Sequence, residues 1–122
     1  MNRLKCLIAD DADGARELLR YILEGRGVEV IEARDGQEAI DLALEHIPSF
    51  VILDISMPKI DGYGVVAALR RIQHFYRTPI LALTAGLGES APDDLAKAGF
   101  TGWLAKPIRP AVLREALANF NC

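Results

Sequence analysis

Short apolar runs alternate with helix-period segments along the chain, and this alternation constrains the fold more than any other feature. The runs of strand length are Leu4 to Ala9, Val28 to Ala33, Phe50 to Leu53, Pro79 to Leu83 and Thr101 to Ala105. Between and after them, apolar residues recur at the i, i+3, i+4, i+7 spacing of one helix face. Five βα units in succession predict an α/β fold with a parallel sheet and right-handed crossovers.

The helical stripes differ in strength. Large apolar residues mark the first, second, third and fifth stripes, whereas the fourth, Glu89 to Ala98, has only Leu95 as a large anchor. We expect this fourth helix to have low local stability.

Arg70 and Arg71 are adjacent residues late in the third helix. We expect both on the solvated face of that helix.

Strands 1, 3 and 4 are apolar on both faces, which is typical of parallel strands covered by helices on either side. The pattern runs from about residue 4 to residue 120 and leaves no room for a second unit. Residues 1–122 are therefore predicted to form one doubly wound domain.

Composition and charge exclude several classes of protein. The chain has 122 residues, 51% of them hydrophobic, and a net charge of −3, with no basic run that would indicate a nucleic-acid partner. Its longest uncharged stretch, Thr78 to Gly88, is too short for a membrane span, and no signal peptide is legible. Cys6 and Cys122 lie at opposite ends, which favours a reducing, cytoplasmic setting over a disulfide framework.

Three carboxylates follow apolar strands. Asp10 and Asp11 come after strand 1, and Asp54 comes after strand 3. If these strands are neighbours, the carboxylates converge at the edge where open parallel sheets bind ligands, and a hard cation such as Mg²⁺ would offset their repulsion. The alternative is that Asp10, Asp11 and Asp13 are N-terminal caps of the first helix.

Two further strand ends carry groups that suit phosphate chemistry. Thr84 ends strand 4, and Lys106 ends strand 5. A hydroxyl and an ammonium group at the rim of a Mg²⁺ site would hold phosphoryl oxygens, while an Asp carboxylate is a competent nucleophile for a phosphoryl group.

Together these motifs resemble the receiver domain of response regulators in two-component signalling. The matching segments are Asp10-Asp11, Asp54 followed by Met57-Pro58 and Asp61-Gly62, Leu83-Thr84-Ala85, and Lys106-Pro107. The key residues follow one another at family spacings: 43 residues from Asp11 to Asp54, 30 from there to Thr84, and 22 more to Lys106. The resemblance covers nearly the whole chain and implies a flavodoxin-like sheet with strand order 2-1-3-4-5.

The resemblance also implies a metal site. Asp11 and Asp54 would ligate Mg²⁺ directly, the backbone carbonyl of Ser56 would be a third protein ligand, and Asp10 would contribute through a water molecule. Asp54 would be the phosphoacceptor, taking a phosphoryl group from a phosphohistidine of a kinase or phosphotransfer protein.

The remaining implied roles concern the bound phosphoryl group and the switch. Lys106 would pair with that group, and the Lys106-Pro107 peptide bond is expected to be cis. Thr84 would move toward the phosphoryl group and hydrogen-bond it. Trp103 would then rotate inward into the space that Thr84 leaves. A downstream output protein would then bind the face of helix 4, strand 5 and helix 5. The alternative is a half-buried Trp103 that does not move.

Three other classes of protein share parts of this pattern. An aspartate-nucleophile phosphatase of the haloacid dehalogenase type should carry its nucleophile on the first strand, with another Asp two residues later. In this chain Asp54 follows the third strand, and the residue two positions after it is Ser56. In a flavodoxin-like cofactor binder, Asp10 and Asp11 would repel a flavin phosphate. The third is a receiver that has lost phosphorylation and acts as a scaffold. Whether the chain stands alone or belongs to a hybrid kinase or longer regulator is left open.

Overall fold

The computed structural model describes residues 4–85 and 92–119. In chain order the elements are β1 (Lys5–Ala9), α1 (Asp13–Gly25), β2 (Glu29–Ala33), α2 (Gly36–His46), β3 (Phe50–Asp54), α3 (Gly62–Arg70), a 3-10 helix (Gln73–Phe75), β4 (Ile80–Thr84), α4 (Pro92–Ala98), β5 (Gly102–Ala105) and α5 (Pro110–Ala118). The fourth helix was predicted to begin at Glu89, which lies outside the described residues. The loop before it, and Phe120 and Cys122, also lie outside them.

The strands form one parallel sheet in the order β2-β1-β3-β4-β5, which confirms the predicted fold class. The chain builds outward from β1 to β2 and then crosses back to place β3 on the other side of β1. The strand order therefore reverses between β1 and β3, and this is the position where sheets of this kind bind ligands.

Helices cover both faces of the sheet. On one face, α1 and α5 bury Leu19, Leu23, Leu113 and Leu117 against alternate residues of the strands. On the other face, α2 and α3 pack against the intervening residues, and α4 adds Leu95. All five residues of both β3 and β4 are buried. The apolar residues of each strand are buried as their sequences predict, and the polar residues that end the strands, Asp54 and Thr84, are buried with them.

The loop between β3 and α3 is packed against the start of α2. Asp35 caps α2 by accepting a hydrogen bond from the Glu38 N–H at 2.8 Å. The first residue of the helix, Gly36, lies so close to this loop that a Cβ atom would come within 1.8 Å of the Ile60 carbonyl oxygen. Asp35 also pairs with Lys59 of the loop at 3.6 Å. The segment that follows Asp54 is thus supported from the neighbouring helix.

Arg70 differs from its prediction as part of a solvated face. Its side chain is partly buried and donates hydrogen bonds to the carbonyl oxygens of Phe75 and Thr78, both at 2.7 Å, and of Gly99 at 2.9 Å. Burial lowers the pKa of the Arg70 guanidinium. Arg70 therefore joins the end of α3 to the approaches of β4 and β5, while Arg71 is exposed as predicted.

Among the described residues, no helix is both long enough and apolar enough to cross a membrane.

Gly36→Ala is expected to lower the free energy of unfolding by about 1–3 kcal/mol, because the added methyl group would displace the backbone at Ile60. Gly14→Ala in α1 is the matched control, since a Cβ atom there meets nothing within 4 Å. The control should raise stability by about 0.5–1 kcal/mol through helix propensity. Urea unfolding measures the free energy of unfolding of both variants and of the parent. An equal change in the two variants would contradict the packing of α2 against the loop.

Candidate functional site

Three carboxylates meet at the carboxyl ends of β1 and β3. Ala9 lies opposite Leu53 in the parallel register, so Asp10 and Asp54 leave neighbouring strands side by side. Asp11 joins them, and one carboxylate oxygen from each residue lies within 4.8 Å of the others. The predicted convergence of these side chains is present in the structure.

The two inner carboxylates are held by backbone groups. Asp10 is fully buried, and its Oδ1 accepts a hydrogen bond from the Ala12 N–H at 2.9 Å. Asp54 is 4% exposed, and its Oδ1 accepts from the Ser56 N–H at 3.2 Å. Asp11 is exposed. The cluster is therefore buried on the sheet side and open to solvent at Asp11.

Lys106 reaches this cluster from the end of β5. Its Nζ donates a hydrogen bond to Asp54 Oδ2 at 2.9 Å and lies 3.1 Å from Asp10 Oδ2. The contact with Asp10 is an ion pair, and Asp10 Oδ2 has no hydrogen-bond partner of good geometry among the described residues. The Lys106 N–H donates to the Thr84 carbonyl at 2.7 Å, and the Lys106-Pro107 bond is cis, the isomer that the resemblance implies.

Burial and charge shift the pKa values of the central pair. Burial raises the pKa of the Asp54 carboxyl, and repulsion from Asp10 adds to the rise, while Lys106 and the Ser56 N–H oppose it only in part. Burial alone would lower the pKa of Lys106, but the Asp54 and Asp10 carboxylates together outweigh burial and raise it. Lys106 therefore stays protonated, and its single charge leaves the three carboxylates undercompensated.

Thr84 and Trp103 occupy different environments. Thr84 ends β4, one residue after the partner of Asp54 in the register, and is buried. Trp103 lies in β5 and is 37% exposed. The structure thus places Thr84 at the same sheet edge as the carboxylates, while the inward rotation of Trp103 stays a prediction.

The capping alternative for the acidic residues does not describe this structure. The N-cap of α1 is Ala12, and no side chain caps the helix there. Asp13 pairs instead with Arg16, and Asp10 points its Oδ1 at the Ala12 N–H outside the helix. Asp10 and Asp11 are therefore available to the cluster.

Arg16 is a residue of this region that the sequence reasoning missed. It is 7% exposed, and its Nη1 donates to the Asp10 carbonyl oxygen at 2.7 Å. A signal was present, because Arg16 lies three and seven residues before Leu19 and Leu23 and so shares their buried helix face. A charged residue on such a face needs partners, and these could have been sought among the nearby strand ends.

The donor set fits a divalent cation. Carboxylate oxygens are the ligands that Mg²⁺ prefers, and three of them lie within reach of one ion. The buried Asp10 Oδ2, which accepts no hydrogen bond from the described residues, is also suited to a water molecule on such an ion.

Comparison with known proteins identifies the family. Residues 6–118 match the response regulator receiver domain family, and the chain belongs to it. It is 34% identical to the chemotaxis response regulator CheY4 of Vibrio cholerae, with a TM-score of 0.88 over 97% of this chain and 98% of that one. It is 31% identical to the polar-differentiation response regulator DivK of Brucella ovis, over 93% of each protein.

A further structural relative is the receiver domain of the sensor histidine kinase PA1611 from Pseudomonas aeruginosa. It is 26% identical, with a TM-score of 0.88 and coverage of 97% of both chains, and it was solved with a magnesium ion coordinated in its active site cleft. Family membership separates this chain from the phosphatase and flavodoxin classes considered from sequence.

Lys106→Ala is expected to lower the free energy of unfolding by about 1–3 kcal/mol, because it leaves buried Asp10 and Asp54 without their cation. Lys59→Ala is the matched control, since Lys59 is 69% exposed and pairs with Asp35 at 3.6 Å. That surface pair should contribute at most about 1 kcal/mol. Chemical denaturation without divalent cations compares the two, and equal losses would contradict the central role of Lys106.

Proposed function

We propose that this receiver domain is a phosphorylation switch in which Asp54 accepts a phosphoryl group in a Mg²⁺-dependent reaction. The observation that carries this proposal is the position of Asp54. Its carboxylate lies at the reversal of strand order, within 4.8 Å of two further carboxylates and 2.9 Å from the Lys106 ammonium group. A buried nucleophile, a cation-binding set and a fixed positive charge together form a site for phosphoryl transfer.

The donor would be a phosphohistidine of a kinase or of a histidine phosphotransfer protein. An Asp54 carboxylate oxygen attacks phosphorus, a new O–P bond forms, and the N–P bond breaks with its electron pair left on the imidazole nitrogen. The raised pKa of Asp54 reflects a carboxylate that burial has stripped of water, which favours its reaction with an electrophile.

Asp11 and Asp54 would ligate the Mg²⁺ ion together with the backbone carbonyl of Ser56, and Asp10 would hold a water molecule on it. When bound, the ion offsets negative charge on the carboxylates and on the phosphoryl oxygens. The magnesium ion recorded in the cleft of the PA1611 receiver domain supports this assignment.

Lys106 and Thr84 would hold the transferred group. The Lys106 ammonium, now paired with Asp54 Oδ2, can shift to a phosphoryl oxygen because the oxygen it leaves becomes part of the acyl phosphate. Thr84, at the end of the adjacent β4, would donate its hydroxyl to another phosphoryl oxygen.

Phosphorylation would shift the population of two states of the face formed by α4, β5 and α5. The phosphoryl group adds about −1.5 to −2 charges. Thr84 moves toward this charge, and Trp103 rotates into the space that it vacates. Exposed Trp103 and Val112 belong to this face, which makes it suitable for an output protein. We assign no direct nucleic-acid or membrane partner and expect a cytoplasmic location.

Incubation with Mg²⁺ and acetyl phosphate should increase the intact mass by one phosphoryl group. Asp54→Asn should abolish the increase, because an amide is not a competent nucleophile here. Asp41→Asn is the matched control, since Asp41 is an exposed carboxylate on α2. Mass spectrometry with and without EDTA decides the matter, and a gain in Asp54→Asn equal to that of the parent would refute the assignment.

A chain that binds Mg²⁺ but gains no mass would be tested next with a phosphorylated histidine kinase. Continued absence of modification, beside a receiver that the same kinase does label, would favour the scaffold alternative.

Trp103 fluorescence should change on phosphorylation, because this is the single tryptophan of the chain and it lies on the proposed switch face. An inward rotation buries the indole, so the emission maximum should move to shorter wavelength. Asp54→Asn treated in the same way provides the baseline. An unchanged spectrum in a fully phosphorylated sample would establish that Trp103 does not rotate.

A further inference from the structure

Arg16 is a charged side chain buried beneath the carboxylate cluster. The residue is only 7% exposed although it lies in the first turns of α1. A guanidinium group is rarely buried in this way unless its donors are satisfied. Its partners therefore indicate what the residue does in this part of the molecule.

Three groups, from the segment after β1, from β2 and from α1, receive its hydrogen bonds. Nη1 donates to the Asp10 carbonyl oxygen at 2.7 Å, just beyond β1, and Nε donates to Glu32 Oε1 at 3.2 Å on β2. Nη2 donates to Asp13 Oδ1 in the first turn of α1. The planar guanidinium, whose donors project in fixed directions, is suited to joining three separate acceptors.

This arrangement immobilises the backbone that carries the acidic pair. The Asp10 N–H donates to the Ala33 carbonyl at 3.1 Å, so Asp10 is held by β2 on one side and by Arg16 on the other. The Asp10 carbonyl lies in the same planar peptide unit as the Asp11 N–H. Holding this oxygen therefore also fixes the peptide plane that contains the Asp11 N and Cα atoms, from which the Asp11 side chain projects.

We propose that Arg16 is a positioning residue for the cation site and that it holds the Asp10-Asp11 peptide in the orientation that Mg²⁺ binding requires. The proposal rests on the proposed function, because it concerns the same Mg²⁺ site. Arg16 donates to the Asp10 backbone, Glu32 and Asp13, so it would act through the Asp10-Asp11 peptide and not as a ligand of the cation.

The positive charge of Arg16 and its positioning role predict opposite changes in Mg²⁺ affinity when the residue is removed. A guanidinium charge close to the cluster would by itself weaken the binding of a cation. If charge were its only influence, removing Arg16 would leave Mg²⁺ affinity unchanged or increase it. If Arg16 positions the acidic pair, its removal weakens Mg²⁺ binding despite the loss of a positive charge.

The test is calorimetric titration of the full chain with MgCl₂, comparing the parent with Arg16→Ala, Arg16→Lys and Arg20→Ala. Arg20 is the matched control, because it lies one turn further along α1 and pairs with the same Glu32, at 2.9 Å. Its other ion pair among the described residues is to Glu24 rather than to the cluster. Circular dichroism of each variant establishes that it is folded at the temperature of titration.

We expect Arg16→Ala to weaken Mg²⁺ binding by about tenfold or more, the range found when residues behind metal ligands are removed. Arg16→Lys should also weaken it, because an ammonium group cannot replace the three-way fork. Arg20→Ala should bind as the parent does or slightly more tightly. If Arg16→Ala does not fold, Arg16→Lys carries the test.

Parental or tighter affinity in either folded Arg16 variant would overturn the positioning role, and so would an equal loss in Arg20→Ala. Failure of the parent itself to bind Mg²⁺ would be a different result, since it would refute the cation site of the proposed function.

Discussion

The ion pairs between Lys106 and the buried carboxylates of Asp54 and Asp10 are the interaction on which the rest of this structure depends. Two carboxylates at the end of neighbouring parallel strands repel each other, and burial removes the water that would screen them. Lys106 offsets part of this repulsion from 2.9 Å and 3.1 Å. Because the single charge of Lys106 cannot balance three carboxylates, the cluster is stabilised by further positive charge, and this is the physical basis of the proposed divalent-cation site.

Strand order is what brings these charges together. Asp10 and Asp54 are far apart in sequence, and they become neighbours because β3 is placed beside β1 on the side opposite β2. The helices on both faces bury the strands, and the acidic residues lie where the strands end, at the carboxyl edge of the sheet. Gly62 shows how tightly this edge is packed, since a Cβ atom there would lie 2.6 Å from the Asp54 carbonyl oxygen.

The sequence predicted the parallel sheet from local patterns alone. It predicted the clustered carboxylates only on the condition that strands 1 and 3 are neighbours, an order that the family resemblance implied and that the sheet confirms. Wholly apolar strands require two covering layers, and Asp residues placed directly after such strands must lie at their shared edge. The buried arginines were harder to predict. Arg70 was expected in solvent, yet it donates to three backbone carbonyls, and Arg16 was overlooked. Helical periodicity indicates which face a residue occupies, but it does not reveal which carbonyl oxygens the tertiary fold will present to it.

The ends of β4 and β5 connect the proposed cation site with the proposed switch face. The hydrogen bond from the Lys106 N–H to the Thr84 carbonyl, at 2.7 Å, joins the two strands at the point where their functional side chains emerge. Separating these strands would break this bond and the buried register behind it, whereas rotating side chains would leave both intact. A rearrangement driven by charge at Asp54 is therefore expected to proceed through side chains such as Thr84 and Trp103. The edge position of β5, with Trp103 and Ala105 exposed beside buried Leu104, would allow such a rotation to change the outer surface without opening the core.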